Sequence, residues 1–232
     1  MNAVRIALLD PSGAPTYTRR NFRRDVNAEL VEFDVQNGQM PDDFAFDGCL
    51  VTGSRSSVYW DEPWLPALKS WIAEAIDREI PVLGVCFGHQ LVADVLGGTV
   101  EPMGEYELGY QTVCHDGESD LLAGIDEEFL VFTSHSDRVA ELPPGATQFA
   151  ENEYGIHGFR KDRVFGVQFH PEYDMETAVE VTEGKDIDPA FKQEVLDSIT
   201  DENYARACQA KQVFDNFVDV VTTTPTPKPA AD

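Results

Sequence analysis

Positive charge is what this chain most lacks. Its 17 Lys and Arg stand against 42 Asp and Glu, a formal net charge of −25. A surface of that sign repels nucleic acid and anionic membrane, so neither is expected as a partner. Cysteine is scarce as well. Cys49, Cys86, Cys114 and Cys208 stand far apart, with no Cys-x-x-Cys knuckle and no spacing of a disulfide framework. A reduced, cytoplasmic setting fits that usage. No apolar run is long enough to span a bilayer, and the N-terminus has no signal-peptide pattern. A disordered acidic protein is excluded too, because 42% of the residues are hydrophobic and the acidic ones are spread along the chain. A folded, salt-adapted protein of the halophile type accounts for both the charge and the ordinary apolar content.

The 232 residues suffice for one large domain, expected over 1–221, with a Thr- and Pro-rich tail over 222–232 expected to be disordered. Apolar runs predict strands over 4–9, 30–35, 48–52 and 82–85, with helices over 17–27 and 65–79 between them. In the second helix Leu65, Leu68, Ile72, Ala75 and Ile76 recur at three and four residues and share one face. Strands alternating with helices imply an α/β fold: a central, mostly parallel sheet, flavodoxin-like, with flanking helices. Shorter strands over 100–103, 109–114, 129–133, 147–150 and 155–159 predict a smaller antiparallel element. A helix is expected from 175 to 183, interrupted at Gly184 and Pro189. A longer one is expected over 201–221, with Tyr204, Cys208, Phe214, Phe217, Val218 and Val221 in an apolar stripe.

The chemistry concentrates in two strand ends. Gly84-Val85-Cys86-Phe87-Gly88-His89-Gln90 follows one apolar run and opens a helix. Glycine on either side lets the backbone turn sharply, so that the cysteine projects from the sheet edge. A helix N-terminus there favours a thiolate and offers N–H groups to a developing oxyanion. Further on, Gln168-Phe169-His170-Pro171-Glu172 ends another apolar run. An imidazole can take the thiol proton, and a carboxylate two residues away can fix its orientation. His89 is poorly placed as the base, because adjacent residues at a helix start diverge by about 100°. His115, in Cys114-His115-Asp116-Gly117, reads as a turn. No residue set has metal-ligand spacing, so neither a metal nor another cofactor is expected.

With Leu50-Val51-Thr52-Gly53-Ser54-Arg55-Ser56-Ser57 and Thr133-Ser134-His135-Ser136-Asp137 in order around these segments, residues 4–175 resemble the class I, triad-type glutamine amidotransferases. Within that family the resemblance is to the stand-alone, GMP-synthase-like members, which include γ-glutamyl peptidases. It implies a Cys-His-Glu triad of Cys86, His170 and Glu172. Gly53, Ser54 and Phe87 would line the oxyanion hole, while Gln90, Ser134, His135 and Ser136 would hold the glutamyl group. Glu107-Leu108-Gly109 would border the pocket. Many synthase-linked members have Gly-Gly-Pro where this chain has Thr52-Gly53-Ser54, and a plain polar turn is the alternative for Ser54, Ser56 and Ser57.

The activity so implied is hydrolysis of the amide of glutamine or a γ-glutamyl small molecule through a thioester. A second reading is an ammonia-supplying subunit of a two-chain synthetase such as GMP synthase. ATP chemistry would then sit on the partner, since no Gly-x-x-x-x-Gly-Lys-[Ser/Thr] loop occurs here. A non-catalytic binding protein that kept the fold is the third.

Overall fold

The computed structural model describes residues 3–13 and 16–223. The first half alternates as its periodicity requires: β1 (Arg5–Asp10), α1 (Thr16–Asp25), β2 (Glu29–Asp34), β3 (Gly48–Val51), α2 (Leu65–Asp77), β4 (Val82–Val85) and α3 (Phe87–Val95). Five further strands follow: β5 (Thr99–His115), β6 (Glu128–Glu141), β7 (Thr147–Asn152), β8 (Gly155–Lys161) and β9 (Val164–Val167). The chain closes with α4 (Met175–Glu183), α5 (Pro189–Ser198), α6 (Asp201–Ala207) and α7 (Gln212–Thr222).

All nine strands form one sheet in the order β2-β1-β3-β4-β9-β8-β7-β5-β6. From β2 to β9 the neighbours are parallel, and from β9 to β6 they are antiparallel. The antiparallel strands therefore extend the main sheet. β9 returns from that region to pair with β4, in register from Val82↔Val164 to Val85↔Val167.

Successive side chains on a strand point to opposite faces, and the core divides accordingly. Ile6, Leu8, Leu50, Leu83 and Phe165 pack on one face with Phe22 of α1 and Phe214 and Phe217 of α7. Ala7, Leu9, Cys49, Val51, Val82 and Val164 pack on the other with Leu68 and Ile72 of α2 and Leu91 and Val92 of α3. Both faces are covered, so β3, β4 and β9 are buried along their whole length.

Several elements differ from the sequence expectation: β6 runs on to Glu141, and α5 begins at Pro189, where only an interruption was expected. The strands expected over 100–103 and 109–114 are one strand, β5, whose register against β6 shifts between Pro102 and Glu107. Such a bulge re-aims side chains, and Glu107 points fully inward here. The helix expected over 201–221 is broken by a 3-10 turn at Cys208–Lys211. Its halves answer to different partners: α6 buries no residue completely, whereas α7 buries Val213, Phe214 and Phe217. Packing has overridden a continuous apolar stripe. Thr222, expected in the tail, is the last residue of α7, and 224–232 lie outside the described residues.

Candidate active site

β4 carries the chain to Cys86, and the turn there is extreme. Cys86 has φ 54° and ψ −104°, a conformation non-glycine residues rarely adopt. The flanking glycines are obligatory. A Cβ on Gly84 would stand 2.1 Å from the Gly88 carbonyl oxygen, and one on Gly88 would stand 2.3 Å from that of Val51. Phe87 opens α3, so its N–H is among the first-turn donors that lack an intrahelical acceptor.

His170 reaches the same sheet edge because β9 lies beside β4. The Cys86 N–H donates to the Val167 carbonyl at 2.9 Å, and the His170 N–H donates to the Phe132 carbonyl at 2.9 Å. Glu172 Oε1 lies 2.8 Å from His170 Nδ1, while the other side of the imidazole faces the Cys86 sulfur within hydrogen-bonding reach. All three side chains are buried. Burial opposes the imidazolium charge, but the Glu172 carboxylate and Cys86 outweigh it and hold the His170 pKa up at about 10. Tyr173 stacks on the imidazole with ring centroids 4.0 Å apart. From behind, Arg24 donates to the Glu172 carbonyl at 2.6 Å and pairs with Asp174, tying the His-Pro-Glu turn to α1.

A cleft of about 260 Å³ opens over this group; the ten residues expected as triad, oxyanion hole and glutamyl site line it, whereas Glu107, Leu108 and Gly109, expected at its border, do not. Their roles differ in the geometry. The Gly53 backbone crosses directly above the pair, since a Cβ there would lie 3.0 Å from His170 Cε1 and 3.8 Å from Cys86 Cβ. Ser54 is engaged within its own loop: its hydroxyl donates to the Pro11 carbonyl at 2.7 Å and accepts from the Ser56 N–H at 3.2 Å. Gln90 Nε2 donates to the Asp137 carbonyl at 2.9 Å and to Gln168 Oε1 at 3.1 Å, which commits it to the cleft wall. The Ser134 carbonyl lies 3.9 Å from the Cys86 sulfur.

The remaining histidines separate by environment. His89 is buried, packs edge-on against Phe159, and burial pushes its pKa down to about 3. His115 closes a turn, accepting from the Gly117 N–H at 3.1 Å. His135 belongs to a second buried group. Its Nε2 lies 2.8 Å from Glu107 Oε2, and His157 Nε2 lies 3.1 Å from the same oxygen. Asn152 donates to Glu107 Oε1 at 2.7 Å, and His135 Nδ1 contacts the Asp137 carbonyl at 2.9 Å. Burial alone would raise the Glu107 pKa, but the two imidazoles bring it down to about 2. The ligand atoms of Glu107, His135 and His157 fall within 4.8 Å of one another, so these residues could hold a metal ion. The Glu107 contacts to both imidazoles are nonetheless of hydrogen-bond length.

Sequence reasoning missed several cleft residues: Tyr17, Arg55, Trp60, Tyr106, Tyr173 and Lys185. Tyr173 could have been found from its place directly after His-Pro-Glu, and Arg55 from its place directly after Ser54 in the Leu50–Ser57 segment. The others have no local signature, since separate loops bring them together.

A family model for glutamine amidotransferase class-I matches residues 16–183. GMP synthase (glutamine-hydrolyzing) of Thermomicrobium roseum is 36% identical over 160 residues, which is 68% of this chain and 29% of that protein. The protein of the same name from Vibrio vulnificus is 35% identical over 173 residues, 72% of this chain and 32% of that one. The chain thus matches about a third of the length of these curated relatives. Among solved structures, a glutamine amidotransferase from Thermotoga maritima superposes with a TM-score of 0.77 at 22% identity, covering 96% of this chain and 100% of that one. One from Methylobacillus flagellatus superposes with a TM-score of 0.77 at 21% identity, covering 99% of each. The structures share the fold, and the sequence matches establish the family: the chain belongs to the class I glutamine amidotransferases.

Proposed function

We propose that this class I glutamine amidotransferase hydrolyses a γ-glutamyl amide, of glutamine or of a γ-glutamyl compound, through a thioester on Cys86. One observation carries the reading: a strained cysteine at a helix N-terminus faces an imidazole whose far nitrogen is held at 2.8 Å by a buried carboxylate. With its pKa near 10, His170 is an imidazolium at neutral pH, the partner a thiolate needs. The Cys86 sulfur attacks the amide carbon, and the oxyanion forms under the Phe87 N–H and the Gly53 backbone. His170 gives its proton to the leaving nitrogen as the C–N bond breaks. The neutral imidazole then takes a proton from water, which opens the thioester to glutamate and restores the thiol. Glu172 keeps the ring oriented throughout. A reducing, cytoplasmic setting is part of this reading, since the sulfur must remain a thiol. So is a single domain over 1–221.

The test is release of free glutamate from glutamine and from γ-glutamyl amides, together with trapping of a γ-glutamyl adduct on Cys86. Turnover that survives in Cys86→Ala would sink the mechanism.

A second reading, supply of ammonia to a synthetase partner, is favoured by the relatives' being glutamine-hydrolysing GMP synthases about three times the matched length. Glutamine hydrolysis that rises on adding such a partner would support it.

A further inference from the structure

Cations are scarce in this protein, and two of them face the cleft with no carboxylate partner. Arg55 and Lys185 both line it. Among the described residues, neither joins an ion pair, although the chain carries 42 Asp and Glu. Among the described residues Arg55 hydrogen-bonds to the Tyr17 hydroxyl alone, and it passes over Gly184, where its Nη2 lies 3.4 Å from the position a Cβ would take. Lys185 follows that glycine, and its ammonium sits 4.7 Å from the centroid of the Tyr106 ring. Burial pushes the Lys185 pKa down, Arg55 adds to the effect, and Cys86 opposes it. Two neighbouring cations that repel each other in a half-buried cleft lower their energy by taking an anionic ligand.

The cleft carboxylates leave the same requirement. Asp137 is engaged by the hydroxyls of Ser57 and Tyr59, and Glu172 by His170. Among the described residues, no hydrogen bond or ion pair engages Asp186, which is exposed on the wall beside Lys185. Two unpaired cations and one unpaired carboxylate complement a ligand with two carboxylates and one ammonium. Free glutamine has one of each. A γ-glutamyl amino acid has the α-carboxylate, the α-ammonium and a second carboxylate on its leaving amine. The rim adds apolar surface: of the three large hydrophobic side chains exposed among the described residues, Tyr59, Trp60 and Tyr106, the latter two line this cleft.

Resting on the hydrolase reading above, we propose that the preferred substrate is a γ-glutamyl amide whose leaving amine carries its own carboxylate, a γ-glutamyl amino acid or peptide. Arg55 and Lys185 select it by receiving the two carboxylates. The bonds are those of the proposed mechanism: sulfur replaces nitrogen on the γ-carbon, the amine leaves with the proton of His170, and water releases glutamate. The two cations also offset, at the cleft, the repulsion that a net charge of −25 exerts on an anionic substrate.

The experiment compares kcat/KM of the full chain, at one fixed potassium chloride concentration, for γ-glutamylglycine, γ-glutamyl methylamide and glutamine. The methylamide presents the same scissile bond with an uncharged leaving amine. The expected ratio of γ-glutamylglycine to methylamide is roughly tenfold or more, the scale of one charge-assisted hydrogen bond. Lys185→Met and Arg55→Met should each bring that ratio toward one, and Lys185→Arg should restore most of it. A ratio near one in the wild type overturns the proposal, and so does a ratio that both Met variants leave intact. The wild-type comparison needs no variant, so a folding defect cannot mask the result. Failure to cleave any of the three, with Cys86 unlabelled by a glutamine-like electrophile, overturns the hydrolase reading and the preference with it.

Discussion

The protein buries two histidine–carboxylate units, and they are built in opposite ways from the same residue types. His170 and Glu172 sit just beyond β9, with one imidazole nitrogen on the carboxylate and the other side open to a sulfur and a cleft. Glu107, on the bulged part of β5, takes two imidazoles, from His135 and His157, on one oxygen and an amide on the other. In the first unit a position is left for a reacting group. In the second both carboxylate oxygens meet protein nitrogens, Asn152 on one and the two imidazoles on the other, so the unit braces β5, β6, β7 and β8 against one another. Buried pairs of this kind cost desolvation and are stable only when hydrogen-bonded throughout. What distinguishes chemistry from bracing is therefore the unfilled side of the imidazole, and the identity of the residues does not reveal it.

Breaking the first unit should have the largest effect. Cys86→Ala should reduce glutamate release by about 10⁴-fold or more while leaving the circular dichroism spectrum unchanged. Glu172→Gln should cost roughly 10²-fold in kcat, and its pH profile carries a sharper signal. The folded His170 pKa is raised to about 10, so activity that needs the imidazolium is lost as pH rises through that value. Removing the carboxylate should move this alkaline limb toward the ordinary histidine value near 6.5. By linkage the raised pKa contributes stability that is fully present below about 6.5 and disappears as pH climbs through about 10. A limb that stays in place in Glu172→Gln would place the source of the shift elsewhere.

The second unit should respond in stability first. Glu107→Gln puts an amide in place of the buried carboxylate that His135, His157 and Asn152 all contact and should lower unfolding free energy by about 3 kcal/mol, read in urea. The sign with pH is opposite to that of His170. The Glu107 pKa is depressed to about 2, so its contribution is present above about 4.5 and is lost as pH falls toward 2. The wild type should lose stability across that acid range, and Glu107→Gln should lose much less. The kcat of the folded variant should fall far less than in Glu172→Gln. A fall as large would mean that the two units work as one.

The two units were also unequally legible in the sequence. Gly84, Cys86 and Gly88 declare a sharp turn within a few residues because much of the constraint is local: a Cβ on Gly84 would strike the Gly88 carbonyl four residues on, and only the one on Gly88 would strike another strand, at Val51. His170-Pro171-Glu172 is legible for the same reason. The parallel half of the sheet could be read because β3, β4 and β9 are short apolar runs with turns at their ends. Glu107, His135 and His157 could not be assembled, since a bulge in β5 and the pairing of β7 with β8 bring them together. Arg55 and Lys185 lie on loops far apart in sequence, and the fold brings Arg55 over Gly184, the residue before Lys185. The break at Cys208–Lys211 was hidden because an apolar stripe reports burial without saying against what.

The smallest effect concerns the surface, and it tests whether the contrast between the units is confined to the interior. Forty-two carboxylates against 17 cations repel one another in dilute buffer. The Debye length falls from about 10 Å at 0.1 M to about 3 Å at 1 M salt, which removes most of that repulsion. Salt also weakens exposed ion pairs such as Arg23–Glu32 and Arg138–Glu101. Exposed pairs contribute only about 0–1 kcal/mol each, and the unpaired carboxylates outnumber them, so the net change should be stabilising. We expect a rise of at least about 3 °C in melting temperature between dilute buffer and molar potassium chloride, on the order of 1 kcal/mol for a chain of this size. The buried units are shielded from mobile ions. Glu107→Gln should therefore show the same salt-dependent rise from a lower starting point, and the alkaline limb of His170 should hardly move. A melting temperature that stays flat or falls over this range would count against salt adaptation. A salt effect that vanishes in Glu107→Gln would instead place its origin in the buried cluster.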